Sequence, residues 1–167
     1  MGEVGFSRPT PLVDGQKLII NTSSEIVDLW AKHYAHKARA QGSAIVYVSR
    51  PMAENPSDMA AGFYTLSAHS IVRDTLPGGW LKRNVPPSIP ALLLGMLGVD
   101  ELYQGRGLGS SLLKDAIQRS LGVAETVGAK ALLVDPLDQQ ARAFYVHFGF
   151  SPIPNTARLY IPLRLPQ

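Results

Sequence analysis

The sequence predicts an α/β fold, a mixed and mostly antiparallel central sheet with helices on both faces, on three observations. Leu92-Leu93-Leu94-Gly95-Met96-Leu97-Gly98-Val99 is an almost purely apolar run of strand length. Beyond it, Leu108, Leu112, Leu113, Ala116, Ile117 and Leu121 recur at the spacing of an amphipathic helix. The same alternation returns at Ala129-Lys130-Ala131-Leu132-Leu133-Val134-Asp135, a second buried strand. There Asp138 supplies an N-cap and Gly149 a C′ residue for a helix carrying Ala141, Phe144, Tyr145 and Phe148.

The remaining elements follow in chain order. Residues 4–20 are irregular around a first strand. Thr22-Ser23-Ser24-Glu25 has the spacing of a capping box and opens a helix through Ile26, Leu29, Trp30, Tyr34 and Ala38 to Gln41-Gly42. Residues 44–48 form a strand, 51–58 a polar turn and 60–72 another strand. Residues 74–90 hold Pro77, Gly78, Gly79, Pro86, Pro87 and Pro90, so they read as a long loop with one short helix around 80–83. The 92–99 strand is then the centre of the sheet. No repeat, low-complexity tract or linker interrupts the chain, and residues 1–167 are expected to form one domain.

Composition narrows the function. The 167 residues suffice for a full core, and 46% apolar with 17% charged residues suits a soluble globular chain. No apolar run approaches the roughly 20 residues of a membrane span. The segment Met1-Gly2-Glu3-Val4-Gly5-Phe6 has neither the basic nor the apolar region of a secretory signal, so the cytoplasm is the expected compartment. With no cysteine, disulfides, thiolate metal sites and a cysteine acyl-enzyme are excluded. Histidines 33, 36, 69 and 147 share no metal-ligand spacing beyond the i,i+3 of His33 and His36, and no metal is expected.

The chemistry concentrates in Gln104-Gly105-Arg106-Gly107-Leu108-Gly109-Ser110, between the central strand and its helix. Such a loop lays backbone N–H groups around an anion at the positive end of the helix dipole. Glycines let the ligand approach and let φ turn positive. A Walker loop is excluded, because no Gly-Lys-Ser/Thr closes the glycines. The dinucleotide fingerprint fails at Ser110 and would come too late in the chain. A glycine-rich turn that binds nothing is the alternative.

The spacing Gln104-x-x-Gly107-x-Gly109 resembles the pyrophosphate-binding loop of GNAT-superfamily N-acetyltransferases, which hold acetyl-coenzyme A. Ala141-Arg142-Ala143-Phe144-Tyr145-Val146-His147-Phe148-Gly149-Phe150 is similar to the pattern that ends their last helix. The likeness spans most of the chain, least over its first twenty residues, and implies a GNAT-like sheet. Gly62-Phe63-Tyr64-Thr65-Leu66-Ser67, the proline-punctuated stretch at 86–94 and the helix end at 123–128 resemble one subgroup. That subgroup is the toxins of bacterial type II toxin–antitoxin modules that acetylate aminoacyl-tRNA. One departure stands out. Those toxins commonly carry Arg-Leu-Ala-Val-Asp where this chain has Met96-Leu97-Gly98-Val99-Asp100.

The resemblance implies the roles of particular residues. Backbone of Leu97, Gly98 and Val99 pairs with the pantetheine arm, and amides from Gly105 to Ser110 take the pyrophosphate. Arg106 either adds a charge contact or is a solvated loop residue. A thioester and an amine react directly once the amine is neutral and aligned. A substrate α-amine, with a pKa of about 8, needs little help from a base. The departing thiolate needs a proton, and Tyr145 stands where the family places its donor; by helix spacing alone it is a core aromatic. The family reading also implies a homodimer and a ribbon-helix-helix antitoxin.

For the RNA the sequence offers two basic groups. Lys32, His33, His36, Lys37 and Arg39 crowd one helix, where a solvated face is the competing reading. Arg73, Lys82 and Arg83 flank the long loop, where Trp80 could stack on a base, and are expected to contact RNA. The net charge of +3 permits RNA binding without demanding it. Two further classes stay open: a GNAT enzyme acting on a small amine or protein N-terminus, and a non-catalytic coenzyme A-binding module.

Overall fold

The computed structural model describes residues 5–13, 16–52, 59–75 and 85–164. Among the described residues, seven strands and four α-helices run in the order β1 (Thr10–Pro11), α1 (Glu25–His33), α2 (Ala35–Gln41), β2 (Ile45–Ser49), β3 (Gly62–Val72), β4 (Ser88–Val99), α3 (Leu108–Thr126), β5 (Ala131–Val134), α4 (Gln139–His147), β6 (Ser151–Pro152) and β7 (Leu159–Pro162). The sheet order is β1-β2-β3-β4-β5-β7-β6. β1/β2, β2/β3, β5/β7 and β6/β7 are antiparallel, whereas β4/β5 is parallel. The expected mixed, mostly antiparallel sheet is present.

The chain divides into two compact units, residues 1–67 with 96–116, and residues 68–95 with 117–167. In the first, β2 pairs with β3 from Ile45↔Leu66 to Ser49↔Gly62. Its core gathers Leu12, Leu18, Val27, Ala31, Ala35, Val46, Val48 and Phe63, with Trp30 and Met96 packed against it. In the second, Ile71, Ile89, Ala91, Ala131, Leu133 and Ile153 form the core. Parallel β5 is buried along its whole length, which is why Ala131-Leu132-Leu133-Val134 shows no polar alternation.

The first helical region departs from expectation. Tyr34, at φ −120°, breaks the continuous helix into α1 and α2. The buried positions Val27, Ala31, Ala35 and Ala38 keep one face across the break, so periodicity does not reveal it. The N-cap is Ser24, whose hydroxyl accepts from the Val27 N–H. Thr22 is instead closed onto Asp28: its N–H and its hydroxyl both donate to Oδ1, at 2.8 Å each. Ile26 and Leu29 lie on the exposed side. The short helix expected at 80–83, and most of the turn expected at 51–58, lie outside the described residues.

Candidate active site

The glycine loop hangs from the end of β4. The pairing of β4 with β5 ends at Leu94↔Val134, and β4 continues to Val99. Within this extension the Met96 N–H donates to the Thr65 hydroxyl (2.9 Å). Gly98 is buried, and a Cβ built on it would lie 2.8 Å from Thr22 Cγ2, 3.0 Å from Val27 Cγ1 and 3.2 Å from Phe63 Cε1. Packing of α1 and Thr22 against β4 therefore explains why this chain departs from alanine here. At the neighbouring departure, the Met96 side chain packs against the core of its unit.

Asp100, only 2% exposed, fixes the turn out of the strand. Its carboxylate accepts from the N–H groups of Asn21 and Leu102 (3.0 Å each), while its own N–H donates to the Ala61 carbonyl (2.8 Å). Three further bonds join this turn to residues 21–23. The Glu101 N–H donates to the Asn21 carbonyl (2.8 Å), the Ser23 hydroxyl to the Glu101 carboxylate, and Gln104 Nε2 to the Thr22 carbonyl (3.0 Å). Gln104 Nε2 also donates to the Val99 carbonyl at 3.0 Å. The Gln104 side chain is thus committed to bracing the loop. The sequence gives no sign of this network, because Asn21 and Asp100 stand 79 positions apart.

The loop then presents bare backbone. Gly105 and Gly107 sit at φ +77° and +80°, and a Cβ on either would meet no protein atom within 4 Å. The Ser111 N–H donates to the Gly107 carbonyl (3.1 Å), which makes Gly107 the N-cap of α3. Glycine has no side chain to accept from the first-turn amides, so those of Leu108, Gly109 and Ser110 face the N-terminal end without a side-chain cap at that position. Gly109 lies inside the helix rather than in the left-handed region. The Arg106 guanidinium lies 5.6 Å from the Tyr103 ring centroid. Open space, positive φ and a helix N-terminus fit a pyrophosphate.

Tyr145 belongs to the other unit and is placed by a helix end. The Asp138 side chain accepts from the Ala141 N–H (2.7 Å) and caps α4. At the far end Phe148 is the C-cap and Gly149, at φ +98°, the C′ residue. The Phe150 N–H donates to the Tyr145 carbonyl (3.1 Å) and the Gly149 N–H to that of Val146 (3.0 Å), a Schellman motif. The Phe150 and Tyr145 rings lie 5.5 Å apart, edge to face, completing its apolar contact. The Phe-Tyr-x-x-x-Gly-Phe pattern is therefore a cap that fixes one tyrosine. Burial pushes the Tyr145 hydroxyl well above the ordinary tyrosine range, so it stays protonated.

The structure gathers residues 97–110 in the first unit, while Tyr145 and Arg73 lie in the second. Arg73, half-buried, donates from Nη1 to the Val85 carbonyl (3.4 Å). Lys82 and Arg83 lie outside the described residues. Among the described residues there is no cluster of three metal-ligating side chains, and no helix is long and apolar enough to cross a membrane. Sequence reasoning missed an exposed bidentate pair. Arg158 donates to both Asp135 oxygens (2.7 and 2.9 Å), and Nη1 lies 3.0 Å from His69 Nε2.

Comparison with known proteins bears on these features. Residues 78–152 match the acetyltransferase (GNAT) domain family. A tRNA-acetylating toxin of Mycobacterium tuberculosis is 37% identical over 152 residues, covering 90% of this chain and 88% of that one. Among solved structures, AtaT complexed with acetyl-methionyl-tRNAfMet superposes with a TM-score of 0.82 at 23% identity, over 96% of this chain and 95% of that one. A tyrosine-to-phenylalanine mutant of AtaT, bound to the C-terminus of the antitoxin AtaR and acetyl-CoA, gives 0.77 at 22% identity, over 97% and 94%. These neighbours share the fold. This chain belongs to the GNAT acetyltransferases, in the family of the tRNA-acetylating toxins.

Proposed function

We propose that the chain is an acetyl-coenzyme A-dependent toxin that acetylates the α-amine of aminoacyl-tRNA and so blocks translation. The observation that carries the reading is the glycine-capped N-terminus of α3, reached from a strand that outruns its parallel neighbour. Amides from Gly105 to Ser110 hold the pyrophosphate, with Gln104 bracing them and Arg106 at the rim. Backbone of Leu97, Gly98 and Val99 takes the pantetheine amides as a strand would. Residues 1–167 act as one GNAT domain, since β3, β4 and α3 each run through both units.

Acetyl-coenzyme A supplies an activated thioester. The neutral α-amine forms the new C–N bond at the acetyl carbon, the C–S bond breaks, and the amine's proton leaves to solvent. The Tyr145 hydroxyl, protonated at neutral pH, gives its proton to the departing sulfur and takes another from solvent. Aminoacyl-tRNA enters as a polyanion, with Arg73, Lys82 and Arg83 as its phosphate contacts. Similarity to the tRNA-acetylating toxin of Mycobacterium tuberculosis, and to the fold of AtaT seen with acetyl-methionyl-tRNAfMet, supports this substrate. They equally support an antitoxin partner, which we assign to the ribbon-helix-helix type, acting on a cytoplasmic homodimer.

The test is incubation of the purified chain with labelled acetyl-coenzyme A and total charged tRNA, followed by hydrolysis and identification of the labelled ester. Acetyl-aminoacyl ester on a defined tRNA set is the expected product. Label found only on free amines or on protein N-termini refutes the tRNA assignment and leaves the acetyltransferase.

A further inference from the structure

Within the first unit, the segment before β1 is stitched to the end of β2 and reaches the glycine loop. Phe6 bridges to Pro51, and the Ser7 N–H donates to the Arg50 carbonyl (2.9 Å). The Ser49 hydroxyl donates to the Ser7 carbonyl (2.7 Å), and the Arg50 N–H to the Ser7 hydroxyl (2.9 Å). So held, Phe6 meets Tyr103 edge to face, with ring centroids 5.4 Å apart and planes at 84°. Both rings are half-buried. Tyr103 directly precedes the loop, Gly105 at φ +77° turns the chain, and the Arg106 guanidinium lies over the Tyr103 ring. Arg106 is exposed, and among the described residues no carboxylate or carbonyl takes its N–H groups. A guanidinium on a ring keeps its donors for another acceptor, whereas one paired with a carboxylate has spent them. The same segment also places Arg8 3.6 Å from Asp115 of α3, but Arg8 is largely exposed and that pair is screened. The aromatic contact is the stronger tie.

We infer that Tyr103, wedged by Phe6, is a positioning residue that holds the Arg106 guanidinium at the glycine loop for a phosphate group of the coenzyme. Arg106 is the single cation of residues 104–110, so its placement decides what charge the loop offers. An arginine held in advance loses less side-chain freedom when the phosphate arrives, so a ring can raise affinity without touching the ligand. The inference rests on the proposed coenzyme site and deepens it.

Acetyl-coenzyme A binding by calorimetry and steady-state acetyl transfer are measured on the full chain and its variants. Arg106→Gln raises Kd about 10-fold or more, the loss of a charge-assisted bond. Tyr103→Leu raises it about 3-fold, the worth of an exposed cation–π contact. In the double variant Tyr103→Leu adds nothing, because the ring acts only through the cation. Tyr103→Phe keeps the ring and restores the parental affinity, and the losses fall in KM rather than in kcat. Phe6→Ala weakens binding in the parent but not beside Arg106→Gln, which repeats the cycle without altering the loop. Acetyl-dephospho-coenzyme A identifies the phosphate. An Arg106→Gln penalty that persists with it puts the guanidinium on the diphosphate, one that vanishes puts it on the 3′-phosphate, and either supports the inference. Equal Tyr103→Leu penalties with and without Arg106, parental affinity in Phe6→Ala, or Tyr103→Phe binding as weakly as Tyr103→Leu overturns it and leaves the coenzyme site standing. A parent chain that does not bind acetyl-coenzyme A overturns the proposed site and this inference together.

Discussion

Tyr145 combines an edge-to-face ring contact with a hydroxyl that burial keeps protonated. Tyr145→Phe keeps the ring and removes the proton, so acetyl transfer should fall about 10²–10⁴-fold. Melting temperature should shift only by the equivalent of about 1 kcal/mol. A single assay of rate beside melting separates donor from core aromatic, because near-normal transfer would return Tyr145 to packing. The pKa shift adds a signature. A folded-state pKa above the unfolded value of about 10 stabilises the fold fully below that pH and loses effect as pH rises through the folded value. The parent should therefore lose stability more steeply than Tyr145→Phe above about pH 10, read from melting curves. Gly98 makes the opposite case, a residue defined by absent volume. Gly98→Ala should cost about 1–3 kcal/mol in denaturant unfolding, because its Cβ would meet Thr22 and Val27. Trimming the neighbour with Val27→Ala should recover part of that stability, and no recovery would point away from steric crowding.

The glycine loop and the end of α4 were both legible in the sequence, because each is written in local residues. A positive φ demands glycine, and a helix end needs its cap within a few positions. What stayed hidden was non-local or insensitive to period. The brace from residues 21–23 to Asp100, Glu101 and Gln104 joins segments far apart in the chain, and no pattern announces it. The break at Tyr34 keeps one buried stripe, so a 25–41 helix reads the same with it or without it. Ile26 and Leu29 looked like helix core and lie outside, since Val27 and Ala31 take the inward face. At the loop itself, Gly107→Val meets no protein atom but forces a β-branched residue to positive φ. It should cost about 1–2 kcal/mol of stability and abolish acetyl-coenzyme A binding by calorimetry. Retained affinity in a folded variant would remove the anion site from this loop.

For the molecule as a whole, a net charge of +3 is a weak attraction for a polyanion, so local cations must set tRNA affinity. Lys82→Ala with Arg83→Ala should lower the slope of log affinity against log salt by roughly one for each phosphate left without its cation. Coenzyme affinity should not move, and an unaltered slope would place the RNA elsewhere. Residues 21–23, which brace the glycine loop, reach further than the loop. Asn21 and Ser23 line a cavity walled by α1 and α2 on one side, while the same short segment is tied to Asp100, Glu101 and Gln104 on the other. It works as a lever with two loads. Anything that displaces it must change the shape of the glycine loop, and by thermodynamic reciprocity any ligand held at the loop must change the ease of that displacement by the same factor.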